Sequence, residues 1–128
     1  MRMMLAAFSA LFITASLAQA SPPKLQNSCI FVRDTWTWKA ADARTMYIKV
    51  LPNRYFRLEL AGQCPELLWP NAQLITVNRG STSICTALDW DLQVKSGARG
   101  APVPCIVKRM TGLSAQEAAQ IPEKYKPR

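Results

Sequence analysis

Histidine is absent from all 128 residues of the sequence. That absence excludes Ser-His-Asp and Cys-His nucleophile systems, and every His-ligated metal centre. Carboxylates are scarce as well: 8 Asp and Glu stand against 16 Lys and Arg, a formal net charge of +8. No two cysteines are spaced C-x-x-C, so a zinc site would need a Cys₄ set at unusual spacings. Beyond residue 20 no apolar run approaches the roughly 20 residues of a membrane-spanning helix, and no transmembrane segment is expected in the mature chain. Internal repeats and low-complexity tracts are missing too. Acid–base chemistry is confined to a few carboxylates, lysines and tyrosines. No catalytic residue, metal ligand or cofactor is expected.

What the sequence does contain begins with a targeting pattern. Met1-Arg2-Met3-Met4 carries one positive charge, Leu5 to Leu17 is mostly apolar, and Ala18-Gln19-Ala20 offers small residues at a peptidase site. These are the marks of a secretory signal, with cleavage expected after Ala20. Ser9, Thr14, Ser16 and Gln19 interrupt the run too early for a spanning helix. Ser21, not a cysteine, follows the cleavage point, so no lipid anchor is expected. The chain divides into a signal peptide (1–20), a linker (21–28), one disulfide-stabilised domain (29–121) and a polar tail (122–128) expected to fray. The implied location is periplasmic or secreted.

Cys29, Cys64, Cys85 and Cys105 all fall after the signal. An even count in a small exported domain reads as two disulfides. Three connectivities are open. The preferred one joins Cys64 to Cys85 and Cys29 to Cys105, because Cys29-Ile30-Phe31-Val32-Arg33 and Cys105-Ile106-Val107-Lys108-Arg109 read as similar, neighbouring strands.

The hydrophobic pattern predicts a mainly β, antiparallel domain, a small barrel or sandwich, with a short C-terminal α-helix. Trp36 through Leu60 reads as a three-stranded meander with turns at Ala40–Ala43 and Leu51–Arg54. Leu74–Val77 reads as a fourth strand of that set, Ile84–Val94 as one bent strand or two, and Cys105–Met110 as the last. Ser114 and Glu117 form a capping box that opens the helix.

Some residues carry a hint of chemistry. Asp89-Trp90-Asp91, on a strand, would put two carboxylates beside an indole, as in carbohydrate cleavage; a solvated pair over a buried Trp90 is the commoner arrangement. Trp36 and Trp38 with Lys39 could stack on sugars or bases, although such aromatics usually enter the core. Arg79-Gly80-Ser81-Thr82-Ser83 has the small residues of an anion-binding turn, but without the spacing of a phosphate loop it reads more simply as a hairpin turn. Cations such as Arg33, Arg44, Arg57 and Lys95 look scattered, yet folding can gather them.

Several segments occur together in order: Asp42-Ala43-Arg44-Thr45, Tyr55-Phe56-Arg57-Leu58-Glu59-Leu60, Gly62-Gln63-Cys64-Pro65, Ile84-Cys85, Pro104-Cys105-Ile106-Val107 and Leu113-Ser114-Ala115-Gln116-Glu117. This set resembles a family of small exported proteobacterial proteins carrying a domain of unknown function. The resemblance covers nearly all of residues 28–120. It implies one compact domain with structural cysteines and brings no activity with it. Some related chains look like lipoproteins, from which this one departs at Ser21.

The leading expectation is a non-enzymatic module that binds an envelope protein or an anionic envelope polymer; nucleic acid is not the expected partner. The alternatives are a hydrolase using Asp89 or Asp91, and an inhibitor or immunity-type protein that presents the Ser96–Pro104 loop.

Overall fold

Alternation of apolar and polar residues at Thr45–Val50 and Arg54–Leu60 decides the centre of the fold, since period two buries every second side chain. The computed structural model describes residues 29–77 and 82–128. In chain order the strands are β1 (Ile30–Phe31), β2 (Trp36–Ala40), β3 (Thr45–Val50), β4 (Arg54–Leu60), β5 (Ala72–Thr76), β6 (Ser83–Ile84), β7 (Leu92–Ser96), β8 (Val103–Pro104) and β9 (Val107–Leu113). Helix α1 (Ala115–Ala119) follows, and short 3-10 turns lie at Pro65–Leu68, Ala87–Asp89 and Glu123–Tyr125. No helix among the described residues is long and apolar enough to cross a membrane.

β2, β3 and β4 form the expected meander. At its first turn Asp42 Oδ1 accepts from the N–H groups of Arg44 and Thr45 at 2.7 and 2.8 Å, a local bond that closes the turn. The second turn holds the cis Leu51–Pro52 peptide. The fourth strand of this sheet is β9, not the Leu74–Val77 segment: β9 pairs with β4, setting Met110 opposite Leu58 and Arg109 opposite Glu59. A bulge beyond Glu59 leaves Lys108 as the extra residue.

The Leu74 region lies in β5, which belongs to a second sheet of order β5-β7-β8. Two features divert the chain there. Cys64 N–H is bonded to Ala43 C=O at 2.7 Å, and the Pro65–Leu68 turn buries Leu67. The chain is thereby led away from the meander, while β9 takes the free edge of β4. Residues 84–94 resolve into β6, the Ala87–Asp89 turn and β7.

One hydrophobic cluster joins the sheets. Met46, Ile48, Val50, Phe56 and Leu58 from the first meet Leu92 and Val94 from the second. The fold is therefore antiparallel β with one short helix, and its separate sheets do not close into a barrel.

Two disulfides are present, as expected, but the preferred pairing is wrong: the bonds are Cys29–Cys85 and Cys64–Cys105. The error lies in the assumed strand neighbours. β1 pairs with β6, Ile30 opposite Ile84, so Cys29 and Cys85 occupy the next opposed positions with Cα atoms 4.1 Å apart. Close approach of this kind belongs to the non-hydrogen-bonded sites of an antiparallel pair. Cys64 and Cys105 meet because Leu60 opposes Val107 and Ala61 N–H bonds to Ile106 C=O.

The capping box forms as read: Ser114 Oγ accepts from Glu117 N–H at 3.2 Å and Glu117 Oε2 from Ser114 N–H at 2.8 Å. Residues 122–128, expected to be loose, lie packed against the sheet. Tyr125 packs against Leu113, Ala118 and Ile121 with Tyr47 and Tyr55, and Pro127 is buried. Thr37 Oγ1 donates to Arg128 C=O at 2.8 Å. This segment straps one end of the four-stranded sheet on the face turned away from the main core.

Candidate functional site

Trp36 and Trp38 lie opposite Val50 and Ile48, on the inward side of β2. Both are half-buried against the core, and Trp36 meets Trp90 edge to face at 6.4 Å. Neither offers an open stacking surface, because period two gives them the same side as buried Ile48 and Val50. Lys39, one residue on, points the other way, and its Nζ donates to Lys124 C=O at 3.3 Å. The three residues are not brought together. Arg79 lies outside the described residues.

The Asp89-Trp90-Asp91 segment is not a strand. Asp89 ends a 3-10 turn, and Asp91 precedes β7. Asp89 Oδ2 accepts from the N–H groups of Cys85 and Thr86 at 2.9 and 2.8 Å, and from Thr86 Oγ1 at 3.1 Å. The Cys85 N–H first, then the Thr86 N–H, hold this carboxyl below the ordinary carboxylate range. A general acid needs the opposite shift, so Asp89 serves as a brace for its turn. Trp90 Nε1 donates to Met110 Sδ at 3.2 Å.

The Ser96–Pro104 loop is pinned. Gly97 N–H bonds to Asn71 C=O at 2.8 Å and Gly100 N–H to Ser96 C=O at 3.1 Å. Gly97 adopts φ +60°, a left-handed conformation that glycine takes without a Cβ penalty. The loop ends in β8, paired with β7. Among the described residues Cys64, Glu66 and Cys105 are the one grouping of metal-donor type. Both sulfurs are spent in a disulfide, which leaves a single carboxylate.

The outward face of the four-stranded sheet is different in character. Register aligns Lys39, Tyr47, Arg57 and Thr111 in one row across the strands, and Thr45, Glu59 and Arg109 in the next. Two depressions of about 280 Å³ each lie along these rows. One is bordered by Arg44, Thr45, Glu59, Lys108 and Arg109. The other lies between Tyr47, Arg57, Leu113 and the helix residues Glu117, Gln120 and Ile121.

Glu59 is the sole acid in the sheet rows. Its Oε2 meets Arg109 Nη1 at 3.1 Å, and its Oε1 lies 3.9 Å from Arg57 Nε. That nitrogen is buried and makes no hydrogen bond. Glu59 thus offsets one of two flanking guanidiniums, and positive charge is left over. Arg44 and Lys108 add more, their side chains making no hydrogen bond or ion pair among the described residues. Lys49 and Lys126 flank the Tyr55 ring, each 5.8 Å from its centre.

Guanidinium groups present a planar fork that matches carboxylate and phosphate oxygens. Such groups, Arg57 and Arg109 on either side of Glu59, stand on this face. Sequence reading missed it because alternate positions of four strands supply it. The bulge at Lys108 and the β4–β9 pairing were the deciding features, and neither has a local signature. No curated protein and no solved structure matches the chain. A family description does match, over residues 1–126, and the chain belongs to that family of unknown function, DUF6491.

Proposed function

We propose that residues 1–20 are removed and that the mature protein, starting at Ser21, is a non-enzymatic module outside the cytoplasm. Through the outward face of its four-stranded sheet it binds an anionic envelope partner bearing repeated phosphate or carboxylate groups. The surplus of cations around Glu59 carries this reading: Arg44 just before β3, Arg57 on β4, and Lys108 and Arg109 on β9, with Glu59 the one carboxylate in the sheet rows between them. The compartment rests on the signal pattern of residues 1–20 and on two disulfides, which persist where the environment is oxidising.

Retention of the mature protein on an immobilised acidic polysaccharide tests the binding. Retention falls steeply with salt, because bound counterions are released on association. Arg44→Ala with Lys108→Ala weakens it, and Glu59→Gln strengthens it by unmasking positive charge. If both variants elute with the unaltered protein, this face is not the binding surface. The intact mass of exported protein tests the processing, with Ser21 as the expected first residue.

A further inference from the structure

Beside this cationic face the domain holds two aliphatic side chains out in water. Leu88 is 96 % exposed and Ile106 72 %, the highest values for large hydrophobics among the described residues. They border the same groove of about 250 Å³, along with Trp90 and Pro104. Scattered apolar residues on a surface are ordinary. These two are held out on braced backbone.

Leu88 is the middle residue of the Ala87–Asp89 turn. Asp89 ties that turn to the Cys85 and Thr86 N–H groups, and Cys85 is itself bonded to Cys29. Ile106 is flanked by Cys105, bonded to Cys64, and by buried Val107, while its own C=O accepts from Ala61 N–H at 2.9 Å. The backbone that carries each side chain is thus held in place on both flanks.

The charges are adjacent. Ile106 is two residues from Lys108, the bulge residue of β9, with Arg109 following and Arg44 across the depression. The acids nearby are Asp42, Glu59, Glu66, Asp89 and Asp91. Glu59 is engaged by Arg109, and Asp89 by backbone N–H groups.

We propose that this edge seats the protein on an anionic lipid bilayer. Leu88 and Ile106 enter the boundary between headgroups and acyl chains, and Arg44, Lys108 and Arg109 meet lipid phosphates. The inference rests on the anion-binding reading above and names its partner. Apolar prongs rimmed by cations are what such a boundary accepts. A bilayer also conforms to convex prongs. A protein interface centres instead on well-packed aromatic anchors, and the aromatic here, Trp90, is turned inward against Trp36 and Met110.

The test is co-sedimentation of the mature protein with vesicles of phosphatidylglycerol and phosphatidylcholine, compared with phosphatidylcholine alone. Binding is expected to the anionic vesicles only. Leu88→Ser with Ile106→Ser lowers that partition about tenfold and leaves retention on the acidic polysaccharide unchanged. Both sites are exposed, so the thermal midpoint should stay in place. Arg44→Ser with Lys108→Ser weakens both kinds of binding. Leu88→Trp gives a second readout, a blue shift in fluorescence when anionic vesicles are added. Undiminished vesicle binding by the Leu88→Ser/Ile106→Ser protein overturns the proposal, as does polysaccharide retention without vesicle binding. Loss of polysaccharide retention altogether overturns the earlier reading instead.

Discussion

Replacing Cys29 and Cys85 together by alanine removes the bond that closes the longer of the two disulfide loops. The cysteines are 56 positions apart. In the chain-entropy model, freeing a loop of that size costs about 4 kcal/mol of stability. Little else compensates, because β1 and β6 share only two residue pairs, too few to persist alone. A small domain typically has about 5–15 kcal/mol in total. At about 4–8 °C per kcal/mol, the thermal midpoint should fall by roughly 15–30 °C.

Cys64 and Cys105, 41 positions apart, give a similar entropic figure of about 4 kcal/mol. They are only 2 % and 5 % exposed, so their removal also disturbs the core and should be the more damaging. Urea unfolding followed by tryptophan fluorescence, without reductant, measures both variants. Mild reduction should open the more accessible Cys29–Cys85 bond first. Two results refute the reasoning: a loss below about 1 kcal/mol for Cys29→Ala/Cys85→Ala, well short of the loop-entropy figure, or a non-reduced peptide map that links Cys29 to Cys105.

Asp34 sets an acid limit. The Phe31 N–H at 2.9 Å, and after it Arg54 at 2.8 Å, hold its carboxyl below the ordinary range. A folded pKa lower than the unfolded one stabilises at neutral pH, and the contribution fades as pH drops below about 4 toward the folded value. Asp34→Asn should therefore weaken the fold at pH 7 and flatten the decline in acid. Denaturation midpoints from acid to neutral pH measure this, and parallel curves for the two proteins contradict it. Ending the chain after Ile121 removes buried Pro127, the packing of Tyr125 and the acceptors at Lys124 and Arg128. A loss of about 2–3 kcal/mol is expected from the apolar burial, with faster amide exchange along β2. Unchanged exchange there would show that residues 122–128 contribute nothing to the sheet.

Local signals were legible in the sequence. Alternation marked β3 and β4, Asp42 and Pro52 marked the turns, and Ser114 with Glu117 marked the helix start. Non-local pairing was not. Nothing near Leu74 says that β9, rather than β5, will take the edge of β4, because both read as strands and neither carries a local mark of its partner. The same blindness misassigned the cysteines: the partner of β1 is the two-residue β6, which barely registers as a strand. It also hid the cationic face, since Arg44, Arg57 and Arg109 are neighbours only after β3, β4 and β9 are in register. Residues 122–128 read as polar and loose because Tyr125 and Pro127 find their partners on distant strands.

In chain order the first cysteine bonds the third and the second bonds the fourth. No native bond joins consecutive cysteines. A chain delivered N-terminus first presents Cys29 and Cys64 to an oxidant before Cys85 has arrived, so the earliest bond available is a wrong one. If that bond forms, reaching the native state requires exchange through mixed disulfides, which a thiol–disulfide isomerase or a redox buffer supplies. Once both crossed bonds have formed, a single backbone cut anywhere between Cys29 and Cys105 still leaves one covalent molecule, a protection against proteases that either bond alone would give only in part.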